Sequence, residues 1–107
     1  MDVKEQYQEL TDKLLGILPL KAYPIRGLVN IFRENGQPIT LKTELTITNV
    51  MNSGDISGIM CVVEHDGENV LACGLTHLIF ARSCPLFKEI AEYQKKREKR
   101  IRKLNKM

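Results

Sequence analysis

The sequence predicts an α+β fold: a four-stranded, mainly antiparallel sheet flanked by an N-terminal and a C-terminal helix, in the order α-β-β-β-β-α. Three observations carry this. Apolar residues recur at steps of three and four at both ends of the chain. In the middle they alternate, or run continuously in short stretches. The middle is also divided by Asn35-Gly36 and Asp66-Gly67, pairs that tolerate positive φ and mark hairpin turns.

The first element spans residues 3–18. Val3, Tyr7, Leu10, Leu14 and Ile17 form one stripe, with Leu15 and Leu18 widening it, while Lys4, Glu5, Glu9, Asp12 and Lys13 fall mostly opposite. Asp2 is placed to cap this helix and Pro19 to close it. Residues 20–24 read as a linker and 25–33 as a strand. Asn35-Gly36 would turn that strand into the next, residues 39–50. There Ile39, Leu41, Thr43, Leu45 and Ile47 share one face, and Thr40, Lys42, Glu44, Thr46 and Thr48 the other. Pro38 puts the start of this strand at an edge or irregularity. The loop Asn52-Ser53-Gly54-Asp55 leads to two further strands, 56–64 and 69–80, joined through Asp66-Gly67. Both faces of this last hairpin are apolar, so both are expected to be covered. Pro85 suits the first turn of the final helix, about 85–104, with Ser83 or Cys84 as its cap. Two helices can sandwich the sheet, or a second copy of the chain can cover one face; a homodimer is the expectation.

At 107 residues and 43% hydrophobic content there is room for one core, built mainly from Leu, Ile and Val because the chain has no Trp, three Phe and three Tyr. Residues 1–94 are expected to form the α+β body, and 95–107 a basic extension of the last helix. Cys61, Cys73 and Cys84 are too few and too scattered for a disulfide framework. With no visible secretory signal and no apolar run of spanning length, the expected location is cytoplasmic, without membrane contact.

Charge is the one pointer to function. The last 13 residues carry eight Lys or Arg and one Glu, a net +7 in a chain that totals +3, so the rest sums to −4. On a helical wheel, Lys95, Lys96, Lys99, Arg100, Arg102, Lys103 and Lys106 fall within an arc of roughly 160° at about 100° per residue. Ile101 and Leu104 lie outside it and continue the line of Leu86, Ile90 and Tyr93. Arg97 falls on the apolar side and is expected to snorkel. A row of cations on one helix face displaces counterions from closely spaced phosphates, giving affinity without sequence reading. The sparse apolar stripe behind it favours nucleic acid, DNA or RNA, over lipid. The expectation is a non-enzymatic nucleic-acid-binding protein making backbone contacts through those seven residues. The alternative is a protein-interaction or regulatory module that docks a partner on its apolar sheet face, with the tail steering association. A plainer role for the basic face is a solvated end, or pairing with Asp2, Glu5, Glu9 and Asp12 of the first helix.

Other chemistry is set aside on spacing. Cys61, Cys73, Cys84, His65 and His77 show no metal-ligand pattern. Cys73 and His77 would lie about 13 Å apart along a strand, out of reach of one ion unless the strand bends. A Cys–His pair lacks an orienting third group. Asp55, Glu64 and Asp66 lack calcium-loop spacing and read as turn residues. Gly54 and Gly58 form no phosphate loop. No cofactor is expected. Thr76-His77, interrupting an apolar run, reads as a buried hydrogen-bonded pair or as the lip of a pocket.

Overall fold

The computed structural model describes residues 3–67 and 69–106, with all side chains except that of Asn69. Asp2, the expected cap, lies outside them. The fold is α+β, with helices at both ends of the chain and an antiparallel sheet of four main strands and a short fifth. Helix α1 (Val3–Leu15) is followed by β1 (Leu20–Pro24), α2 (Arg26–Glu34), β2 (Leu45–Asn52), the single turn α3 (Gly54–Ser57), β3 (Ile59–His65), β4 (Asn69–Gly74), a 3₁₀ turn (Leu75–His77), β5 (Leu78–Ile79) and α4 (Phe87–Asn105).

The helical stripe of α1 is present: Tyr7, Leu10 and Leu14 are buried, and the Thr11 hydroxyl among them donates to the Tyr7 carbonyl at 2.7 Å. The next two segments differ from expectation. Residues 20–24 are a strand rather than a linker, with Leu20, Ala22 and Pro24 facing the core. Residues 26–34 are a helix rather than a strand. Leu28, Val29 and Phe32 stand at helical spacing and are buried together. Asn35-Gly36 therefore ends a helix instead of closing a hairpin: Asn35 is the C-cap and Gly36 follows at φ 78°. Both motifs want a residue at positive φ, so the dipeptide alone does not separate them.

Strand β2 starts later than expected, at Leu45. The segment before it is held by buried Ile39 and by Thr40, whose hydroxyl accepts the Lys42 N–H at 3.1 Å. An irregularity between Ile47 and Asn49 shifts the alternation, so that Leu45, Ile47 and then Val50 face inward. Asp66 and Gly67, at φ 58° and 72°, form the expected turn between β3 and β4. Helix α4 begins at Phe87, two residues after the expected start, with Leu86 at its cap in the left-handed region rather than Ser83 or Cys84.

The strand order is β4-β3-β2-β1-β5. β4 and β5 thus sit at opposite ends of the sheet, yet three residues join them. So short a link requires the sheet to curl until its two ends meet, and the 3₁₀ turn is the seam. One buried cluster fills the concave side, with residues from α1, α2, α4 and every strand except the outermost positions. The convex face keeps Tyr23, Met51, Val70 and Ile79 at 37%, 44%, 52% and 52% exposure. The outer face of the last hairpin is covered only in part by the described residues: Met60 and Val62 are half-buried, whereas Val70 stays exposed.

Candidate nucleic-acid interface

Helix α4 runs unbroken from the core into the basic segment. Ile90, Tyr93 and Arg97 are its buried positions, and Ile101 and Leu104 are half-buried beyond them. The Tyr93 ring meets Tyr7 edge-on at 5.2 Å, and its hydroxyl accepts the Ile59 N–H at 2.9 Å. Burial pushes the Tyr93 phenol up to about 12, so it stays neutral and holds that bond.

Arg97 does not snorkel. Its side chain is 3% exposed, and the guanidinium donates to the carbonyls of Asp55 and Ile56 and to the Tyr7 hydroxyl, lying 5.8 Å from the centre of the Tyr7 ring. The Asp55 carboxylate is 3.8 Å away. Asp55 also accepts three hydrogen bonds from Arg100: Nε lies 2.9 Å from one oxygen and 3.1 Å from the other, and Nη2 donates to the second. Those bonds, then the charges of Arg100 and Arg97, hold the Asp55 carboxyl below the usual carboxylate range against some desolvation. Gly58 lets this happen. It sits at φ 71°, and a Cβ there would lie 2.5 Å from the Tyr93 hydroxyl and 2.8 Å from Arg97 Nε. Asp55, read from sequence as a turn residue, and Gly58, which that reading placed within the strand 56–64, are the socket into which α4 is plugged.

The seven basic residues therefore divide. Arg100, at the edge of the arc next to the buried seam, is drawn onto Asp55. Lys95, Lys96, Lys99, Arg102, Lys103 and Lys106 are exposed and have no ion-pair partner among the described residues. At 100° per residue these six fall within about 120°, and at 1.5 Å per residue they extend over about 17 Å. Their place in the C-terminal half of the helix also suits its dipole. Of the acidic residues of the first helix, Glu9 pairs instead with Lys13 at 3.7 Å and Asp12 accepts from Gln8 at 2.8 Å, while Asp2 lies outside the described residues.

A second set of cations was hidden in the sequence. Arg26, Arg33 and Lys42 line a groove of about 590 Å³ with Asn30 and Thr40 and no acidic residue. Seven residues apart, Arg26 and Arg33 fall on opposite faces of a strand but on one face of a helix. Reading 25–33 as a strand separated them.

Cys61 and Cys73 face each other across β3 and β4, buried and unpaired. Burial pushes the Cys73 thiol up to about 12 and raises Cys61 further, the opposite of an activated nucleophile. Among the described residues no group of three or more His, Cys, Asp or Glu is placed to hold a metal ion, and no helix is long and apolar enough to cross a membrane. Compared with protein-family models, curated proteins and solved structures, the chain matches none.

Proposed function

We propose that this is a small non-enzymatic protein that binds DNA or RNA through the phosphate backbone, using the exposed face of α4. The carrying observation is the row of six cations that have no ion-pair partner among the described residues, on a helix anchored in the core by Arg97 and Asp55. Such a row tracks evenly spaced charge and offers no aromatic platform for reading bases. In this reading the protein works in the cytoplasm, where Cys61, Cys73 and Cys84 stay reduced, and as a homodimer that doubles the basic surface.

The test is a salt titration of binding to generic duplex DNA and to single-stranded RNA. If all six cations meet phosphates of duplex DNA, log K falls with log salt at a slope of about −5, a loss of about 10³ in affinity between 50 and 200 mM. Replacing Lys96, Lys99 and Lys103 by Ala should bring the slope to about −3. Salt-independent binding, or an unchanged slope in the triple variant, would sink the reading. Substitution is the right tool because deleting residues 95–107 would also remove Arg97.

The convex sheet face favours a second reading, a protein-interaction module with the basic helix steering association. Tyr23, Met51, Val70 and Ile79 give it exposed apolar surface. Sedimentation of the purified chain separates the two: a homodimer supports the first reading, and a stable monomer favours a heterologous partner.

A further inference from the structure

The groove on α2 is built from one stripe of that helix and one turn of the chain. Arg26, Val29, Asn30 and Arg33 recur at steps of three and four, so they share a face. Arg26 and Arg33 are exposed at its two ends, about 10 Å apart along the helix axis, with buried Val29 between them. Thr40, Leu41 and Lys42 form the facing wall. That wall is held in shape: the Thr40 N–H donates to the Thr43 hydroxyl at 2.9 Å, and the Thr43 N–H donates to the Thr40 carbonyl at 3.1 Å.

Nothing in the groove balances its charge. Arg26, Arg33 and Lys42 have no ion-pair partner among the described residues. The acids nearest in sequence are engaged or turned away: Glu44 pairs with Lys21 at 3.8 Å, and Glu34 stands about 90° round the helix from the stripe. An arginine fork fits phosphate oxygens two at a time. No aromatic ring lines the groove to stack a base. Cations at both ends and along one wall, without base readers, are complementary to an extended phosphate backbone.

The groove also faces away from α4. Leu28 and Ile31, about 180° round α2 from the stripe, line a cleft of about 360 Å³ together with Ile101 of α4. Thr76 and His77 line the same cleft, where the 3₁₀ turn bends the chain after β4. Helix α2 thus stands between the groove and the seam of α4. We propose that the groove grips a second stretch of nucleic-acid backbone, so that one chain bridges two duplex segments, one on α4 and one on α2. This role rests on the reading of α4 as a phosphate-binding face. A single groove makes few contacts, but several chains bound along one duplex present it repeatedly, and such an array holds what one site would release.

A capture assay tests this. Generic duplex DNA on beads is loaded with the full chain at about 50 mM salt, washed, and offered a fluorescent duplex of different sequence. Wild type should retain the second duplex. The variant Arg26→Gln/Arg33→Gln/Lys42→Gln should lose that capture while keeping the affinity and salt slope for a single duplex, which also shows that it is folded. Wild type that binds one duplex with the slope of the α4 row but captures no second one would overturn the proposal and leave the reading of α4 intact. Capture that survives in the groove variant would overturn it as well, because the two α4 faces of a homodimer would then be the bridge. A chain that binds no duplex at all overturns both, and the single-duplex titration tells that failure from the others.

Discussion

Replacing Arg97 by Met removes the forked donor that joins α4 to α3 while keeping most of the side chain's length and apolar volume. The cost follows from what is left behind. The carbonyls of Asp55 and Ile56 each lose a charged donor, an interaction worth about 1.5–3 kcal/mol. Both belong to a surface turn in which Ile56 is largely exposed, so water can reach them and the lower value applies. The Tyr7 hydroxyl and ring lose smaller contacts. Against these losses stands the relief of no longer burying a cation, which commonly offsets part of such an interaction. Asp55 keeps Arg100, so no uncompensated carboxylate appears. The balance is a destabilisation of about 2–3 kcal/mol. With an unfolding entropy of about 2.1 cal/mol/K per residue, that lowers the melting midpoint of a chain this size by roughly 9–13 °C.

Circular dichroism melts of wild type, Arg97→Met and Arg97→Lys measure this. Lysine keeps the charge near Asp55 but cannot present the planar fork to both carbonyls, so it should recover little. A midpoint for Arg97→Met within about 4 °C of wild type, roughly 1 kcal/mol, would refute the claim that the guanidinium anchors the helix. Full rescue by lysine would show that attraction to Asp55, not the geometry of the fork, holds α4 in place.

Three other outcomes follow from the same socket and the core beside it. Because the folded-state pKa of Asp55 is lowered below 3.8, its contribution to stability is complete above that value and disappears as pH falls through the lowered one. The urea-midpoint gap between wild type and Asp55→Asn should therefore be widest near neutral pH and shrink below about pH 4; a gap constant down to pH 2 would contradict the assignment. Gly58→Ala should destabilise by roughly 3 kcal/mol or more in thermal melts, since the backbone conformation there is nearly restricted to glycine and the added methyl meets Tyr93 and Arg97; a loss below 1 kcal/mol would show that the socket yields easily. In thiol titration with a disulfide reagent, Cys84, the least buried cysteine, should react first, and Cys61 and Cys73 only on unfolding; equal rates for all three would count against the buried thiol pair.

Much of the architecture was legible where one period dominated a long enough window. The stripe of α1, the Asp66-Gly67 turn and the amphipathic run of α4 are all of this kind. The misreadings cluster at residues 20–44, where the elements are short. Leu20, Ala22 and Pro24 give β1 too few alternations to stand out from a linker. In α2, Leu28, Val29, Ile31 and Phe32 divide two and two between the faces of a strand, as in a strand covered on both sides, so this short window does not separate a buried strand from a helix; the shared burial of Leu28, Val29 and Phe32, with Ile31 40% exposed, decides for the helix. For the candidate interface, the wheel identified the face but not its inner edge. Arg100 lies on that edge, and its removal from the free set depends on Asp55, 45 residues away in sequence. No local pattern contains that pairing.

Arg97 shows why charge counting alone misjudges such a helix. Eight basic residues in 13 suggest a uniform cationic rod, and a mobile tail would serve as well as a helix for attraction alone. The helical period instead places residues 93, 97, 101 and 104 on the seam, so a cation at position 97 meets the core whether or not it carries function. Once it is there, the carbonyls of a tight glycine-flanked turn and one carboxylate are what it needs, and the α3 turn provides both. Two of the eight cations thus fix the direction of the helix, and the six on its outer face are presented in a defined row. A rigid row meets successive charges of a polyanion without first losing the conformational entropy that a flexible tail would lose on binding. Anchoring and display are therefore linked through one carboxylate, and a substitution at Asp55 should disturb the basic face although it touches none of its exposed residues.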